Sequence, residues 1–342
     1  MKLIKKNKHV KKNNGPTFGA GLMVKNEEHC IKRCIESWKD EFDYFVIVDT
    51  GSDDNTLKII KELLKDYPGE IYQDEWVKEG INRNRVCDRL NELEFLDYLV
   101  GVDADDEFLF KDNWKEEISS TNHDMYNIIM MSERGTQTIP KIRTRACTFR
   151  FDDRFSVHCL YGPTTPQTNT NGLLKKVSFI HHQDGASHKQ PTKEKYLKYA
   201  EMIKADIAEH GDIPRMYFYL GDSLMLAGEY DEAKKAFEKR IALKGWDEEV
   251  YYSMLNIARI NRDPLYYRAT IEHSPNRPEG YIELIYLYRD RGELNRAYDW
   301  LKRAKMLTVS NDFRLFYNPL LITETIPRLE YELDKGLFLG HG

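Results

Sequence analysis

Four short apolar runs, Phe18–Val24, Tyr44–Val48, Ile71–Tyr72 and Tyr98–Val102, are each too brief for a helix and are separated by stretches with helical spacing. Ile31, Cys34, Ile35 and Trp38 recur at intervals of three and four after the first run, and Leu57, Ile60, Leu63 and Leu64 do so after the second. Strand, helix, strand, helix in this order predicts an α/β domain with a mainly parallel sheet, because parallel neighbours need a long crossover connection. Ligands of such sheets collect outside the carboxyl ends of the strands. Polar clusters stand at these ends: Lys25-Asn26-Glu27-Glu28, the stretch 49–54, and Asp103-Ala104-Asp105-Asp106-Glu107. A fourth, Asn82-Arg83-Asn84-Arg85, opens the helix before the last of the four strands.

Asp103 and Asp105 lie two apart, so an extended backbone sends both side chains the same way. Carboxylates so placed repel each other unless a cation sits between them, and a divalent ion that also holds a diphosphate would do this. A solvated acidic turn after a core strand is the plainer alternative.

The ordered set Leu22 to Glu28, Val48 to Asp53, Asn82-Arg83-Asn84 and Asp103-Ala104-Asp105 resembles the motifs of family 2 glycosyltransferases over roughly residues 18–110. The resemblance implies a GT-A (Rossmann-like) fold and an inverting transfer from a nucleotide sugar. It implies that Asn26, Glu27 and Asp49 line the base and ribose pocket, with Arg83 by the base or diphosphate. Asp103 would meet the ribose and the metal, and Asp105 would be the principal Mn²⁺ or Mg²⁺ ligand. Asp49 can accept from a pyrimidine ring N–H, which favours a UDP-sugar over a cytidine donor.

Beyond residue 110, Tyr126–Met131 and Cys147–Phe149 are expected to be strands extending the sheet, separated by a polar loop with Arg134, Lys141, Arg143 and Arg145. The stretch Arg150 to Leu160 resembles a segment of a subgroup of these enzymes in which the histidine is followed by glutamate; here Cys159 follows His158. A neutral thiol is a poor base. Asp153 or His158 is therefore the candidate general base, with Asp184 in reserve. His181, at the end of another apolar run, is a candidate nitrogen ligand for the metal or else a hydrogen-bonded core histidine. His182 and His188 are read as solvent-facing.

After Pro191 the pattern becomes helical. Tyr217, Leu220, Gly221, Gly228, Tyr230, Ala233 and Phe237 fall at the spacings of a tetratricopeptide repeat, whose period is ~34 residues. Tyr281, Leu284, Gly292, Ala297 and Leu301 form a related unit. The unit between them is degenerate, because Tyr267 stands where a small residue corresponding to Ala233 belongs. The same subgroup carries such repeats, and the stretch 244–252 resembles its linking motif.

The expected domains are a basic disordered tail (1–16), a catalytic domain (17–190) and an all-α tetratricopeptide-like domain (191–342). Net charge of -5 gives no reason for a nucleic-acid partner. Five cysteines without a Cys-x-x-Cys pair suggest neither a disulfide framework nor a zinc knuckle. No run of eighteen apolar residues occurs, so no membrane span is expected and a cytoplasmic location is. The expected acceptor is a glycan, protein or small-molecule hydroxyl, with homo-oligomerisation through the repeats as a further role. The competing functions are a nucleotidyltransferase, and an adaptor with a silent nucleotide-binding domain.

Overall fold

All four apolar runs are strands in the computed structural model of the protein, which describes residues 1–7, 15–132, 135–159, 161–164, 171–186, 192–310, 315–316 and 318–335. Arg134, His188 and the lysines of 8–14 lie outside these. The chain divides into two compact units, Met1–Pro191 and Thr192–Gly342.

The first unit contains β1 (Lys2–Asn7), β2 (Phe18–Val24), α1 (Ile31–Trp38), β3 (Tyr44–Asp49), α2 (Thr56–Leu63), β4 (Gly69–Gln73), α3 (Glu79–Asn91) and β5 (Tyr98–Val102). It continues with β6 (Asp106–Phe110), α4 (Trp114–Ser119), β7 (Met125–Ser132), β8 (Gly135–Thr144), β9 (Phe149–Phe151), β10 (Tyr161–Pro163) and β11 (Asn171–His181). One large sheet has the order β1-β4-β3-β2-β5-β8-β7-β11-β6, and β9 and β10 form a separate pair. From β4 to β5 the neighbours are parallel. Beyond β5 the sheet is mixed, with β8 antiparallel to both β5 and β7.

Alternation along β3 divides the core in two. Phe45 and Ile47 pack with α1 and α2, while Tyr44, Val46 and Val48 pack with Val86 and Leu90 of α3. Helix α3 lies close on β2 because that strand offers it glycines. A Cβ at Gly21 would stand 2.6 Å from Leu90 Cδ1, and one at Gly19 would stand 2.4 Å from Leu96 Cδ1.

Three expectations differ from the structure, the first being that Cys147–Phe149 extends the large sheet: the strand there, Phe149–Phe151, pairs with β10 instead. The segment 1–16 was expected to be a disordered tail, yet Lys2–Asn7 is a strand antiparallel to β4. Its few apolar residues are outweighed by polar anchoring: Lys6 reaches the buried Glu70 at 2.7 Å, and the Asn7 amide donates to carbonyls after α2 at 2.8–3.0 Å. The polar loop expected before Cys147 is mostly β8, because Ile139 and Ile142 turn inward while its charged residues find partners described below.

In the second unit, α5 (Thr192–His210) is followed by the hairpins α6 (Pro214–Leu226) with α7 (Tyr230–Ala242), α8 (Asp247–Asn261) with α9 (Pro264–His273), and α10 (Pro278–Asp290) with α11 (Leu294–Ala304); α12 (Ile326–Asp334) is last. Gly221 lets α6 and α7 approach: a Cβ there would meet the Phe237 ring at 2.6 Å. The middle hairpin closes around a buried Tyr267 and differs at its turn. Gly228 and Gly292 take positive φ after α6 and α10, whereas Arg262 (φ 49°) does so after α8.

Candidate active site

The loops after β2 and β3 are clipped together. Asn26 donates its N–H to Ser52 Oγ at 2.9 Å and accepts from the Asp53 N–H at 2.9 Å, while the Glu27 N–H donates to Thr56 Oγ1 at 2.7 Å. Asn26 adopts φ 58°, a conformation asparagine tolerates better than most side chains. Asp49 is fully buried, and its carboxylate accepts from the Gly51 and Ser52 N–H groups at 3.2–3.3 Å and from the Ser52 hydroxyl. Its acceptor capacity is thus spent on its own turn, a commitment that spacing alone does not reveal.

At the end of β5 the chain turns at once, with the Asp106 N–H donating to the Asp103 carbonyl at 3.1 Å. The turn replaces the extended geometry expected for Asp103-Ala104-Asp105 and separates the two carboxylates. Asp103 accepts from Arg83 Nη1 at 3.0 Å and from Lys141 Nζ at 2.8 Å. Burial alone would raise its carboxyl, but Lys141 and Arg83 hold it well below the usual range. Lys141 also donates to Asp106 at 2.6 Å, and the other Asp106 oxygen lies 3.0 Å from His181 Nδ1.

Asp105 goes the other way. Its side chain is 10% exposed, and its one ion pair among the described residues is with His181 Nδ1 at 3.7 Å. Burial pushes its carboxyl up, only partly opposed by His181. Glu27 is also pushed up, first by burial and further by Asp105, although the Ala186 N–H donates to it at 2.9 Å. The two carboxylates flank Gly185, where a Cβ would stand 3.4 Å from Asp105 Oδ2 and 3.6 Å from Glu27 Oε2. A buried and a half-buried carboxylate that repel each other, with an imidazole at hand, form a place where a cation gains energy.

One donor atom from each of Asp105, Asp106 and His181 fits within a 4.8 Å span. The two carboxylates suit Mn²⁺ or Mg²⁺, and the imidazole is a softer third donor that suits them less well. The structure brings Asp105 and His181 together with Asp106 and leaves Asp103 with Arg83 and Lys141. His182 is not solvent-facing: it is half-buried, 2.6 Å from Glu107 Oε2.

Beside Asp103 opens a cavity of about 380 Å³ with an apolar floor from Val86, Leu90 and Leu99, and with Arg83, Lys141 and Cys159 on its walls. Gly101 faces it and has nothing within 4 Å of where a Cβ would be. His158 stands exposed at the rim. Asp153 is exposed and is not among the lining residues. Asp184 is held by Arg33 at 2.7 and 3.0 Å, which lowers its carboxyl. Glu79, Asp106 and Lys141 were not picked out as site residues from sequence. Lys141 carried a signal in retrospect, as a lysine between apolar residues of a strand.

Residues 21–182 match the family model described as Glycosyl transferase family 2. This unit is a family 2 glycosyltransferase domain. Over 96 residues the chain is 33% identical to the SPbeta prophage-derived glycosyltransferase SunS of Bacillus subtilis, a match spanning 28% of this chain and 21% of that protein. It is 22% identical over 305 residues to a TPR repeat-containing protein of Synechococcus elongatus, covering 83% of this chain and 73% of the relative. A crystal structure of S. aureus TarS 1–349 in complex with UDP superposes on it with TM-score 0.39 and 15% identity, over 95% of this chain and 93% of that one. That likeness is too slight to bear on the transferase domain's chemistry. No helix among the described residues is long and apolar enough to cross a membrane.

Proposed function

We propose that the protein transfers a sugar, with inversion, from a nucleotide sugar to an acceptor hydroxyl, and that the donor is a UDP-sugar. The observation that carries this reading is Asp105, a buried carboxylate whose ion pair among the described residues is with a histidine 3.7 Å away, beside Glu27 at the end of β5 in a family 2 domain. Asp105, Asp106 and His181 would hold Mn²⁺ or Mg²⁺, which when bound neutralises charge developing on the departing diphosphate, an effect worth several kcal/mol. Asp103, fixed between Arg83 and Lys141, would orient the donor ribose. Asn26, Glu27 and Asp49 shape the nucleotide end, Asp49 by holding the turn at Gly51 and Ser52. Arg83 and Lys141 also place positive charge beside the cavity that receives the sugar and acceptor. The helical unit, taken as 191–342, would select the acceptor or mediate self-association.

Nucleotide-sugar hydrolysis by the full chain tests this, run across UDP-, GDP- and CDP-sugars with Mn²⁺, with Mg²⁺ and with a chelator. Release of UDP that stops with the chelator is expected. Metal-independent release, or release from a different nucleotide, would overturn the corresponding part of the reading.

A further inference from the structure

Transfer to a hydroxyl requires a group that takes its proton, and the position where the resembling segment carries glutamate is Cys159 here. Burial, reinforced by Glu79, pushes the Cys159 thiol up to about 12. It stays protonated near neutral pH and cannot serve. The same neighbour that raises the thiol is a carboxylate supplied by another element.

Glu79 is the first residue of α3 and lines the cavity together with Arg83, Asp103, His158 and Cys159. Its two oxygens are aimed by separate donors: Oε1 accepts from Arg83 Nε at 3.0 Å, and Oε2 accepts from the His158 backbone N–H at 3.1 Å. The side chain is 24% exposed, so lone pairs remain open to the cavity. Its position relative to Cys159 is fixed by stitching between α3 and the segment 151–159. Asn84 donates to the Phe151 carbonyl at 2.8 Å and accepts from its N–H at 2.9 Å, and the Glu79 N–H donates to the Ser156 carbonyl at 3.3 Å. Gly80 permits this approach, since a Cβ there would stand 2.5 Å from the Asp152 carbonyl oxygen. The other carboxylates weighed for the task are Asp153, exposed and absent from the cavity lining, and Asp184, bound to Arg33.

We propose that Glu79 is the general base, doing from α3 what a glutamate at position 159 would do. This rests on the glycosyltransferase reading given above. The acceptor O–H proton passes to a Glu79 oxygen as the acceptor oxygen bonds to the anomeric carbon. The bond from that carbon to the diphosphate oxygen breaks, its electron pair leaving with the nucleoside diphosphate, and Glu79 returns its proton to water. Arg83, paired with both Glu79 and Asp103, couples the base to the residue placed at the donor.

The test uses the full chain, a panel of UDP-sugars with Mn²⁺ and water as acceptor, alongside calorimetry with UDP. Glu79→Gln should lower kcat ~10²-fold, the usual scale for losing a positioned base, while UDP affinity and melting temperature hold. In Glu79→Gln/Cys159→Glu the carboxylate returns to the cavity from the other side, and at least about tenfold of the loss should be regained, part of that same scale. Full kcat in Glu79→Gln, a fall matched by lost UDP affinity, or no recovery in the double variant would overturn the proposal. A wild-type protein that hydrolyses no UDP-sugar would instead remove the underlying glycosyltransferase reading, and the proposal with it.

Discussion

Both units bury charged side chains, and the candidate site leaves two of them less completely paired than the helical unit does. In the helical unit, Arg240 is 1% exposed and donates to Glu249 at 3.0 Å and to the Trp246 carbonyl at 2.9 Å, while Arg215 takes the other Glu249 oxygen. Arg277, equally buried, donates to Glu248, Glu279 and the Tyr252 hydroxyl at 2.9–3.1 Å and lies over the Tyr251 and Tyr252 rings. In the α/β unit, Asp105 and Glu27 are pushed up by burial and face each other. Completed pairing holds hairpins in register, whereas pairing left incomplete is where a cation would gain energy.

The sharpest way to break this contrast is Arg240→Met. Removing Arg240 leaves the buried Glu249 with Arg215 alone, so the helical unit should lose about 3 kcal/mol in urea unfolding, the low end of the cost of breaking a buried pair. Replacing Glu249 as well, by Leu, should restore much of it. A loss under 1 kcal/mol in the single variant would mean that this network is not structural.

Asp105→Asn should give the reverse pattern. Relieving repulsion beside Glu27 leaves the melting temperature equal or slightly higher, while Mn²⁺ affinity falls and metal-dependent turnover drops ~10²-fold, or roughly 3 kcal/mol. Isothermal titration with Mn²⁺ and donor hydrolysis check both arms. A collapse in melting temperature would place Asp105 with the structural charges instead.

Within the α/β unit itself, Glu70 supplies a completed pair for comparison. Burial would raise its carboxyl, but Arg89 at 2.6 and 2.8 Å and Lys6 at 2.7 Å bring it down to about 2. Its folded value lies below the unfolded value of about 4.3. Its stabilisation is therefore complete above that pH and disappears as pH falls towards 2. Urea midpoints between pH 5 and 2 should show this loss, and Glu70→Gln should flatten it.

The smallest effect expected is at Arg262, whose positive φ stands where the other hairpins use glycine. Arg262→Gly should stabilise the helical unit by about 0.5–1 kcal/mol in the same urea assay.

The strands and helices around residues 18–110 were legible because β2 to β5 are short and buried, and because α1 and α2 carry clean stripes. The charged strand β1 was not. Its pairing depends on Glu70 and on carbonyls after α2, which are distant in sequence and leave no periodicity. At the site, the motifs located Asp103, Asp105 and His181 but not how they divide, since the turn at Asp106 sends two carboxylates two residues apart to different partners. Glu79 was hidden for a similar reason: it reads as an ordinary acidic residue in the first turn of a helix, and only the fold brings it to Cys159.

Gly101 gives the cavity one further property. Its neighbours in β5 are hemmed in, but a side chain added at this position meets no protein atom within 4 Å and would extend into the space itself. Pocket depth and fold stability are therefore separate variables at this residue. One substitution at Gly101 can therefore reshape the cavity without repacking the core, so its contents can change while the architecture stays put.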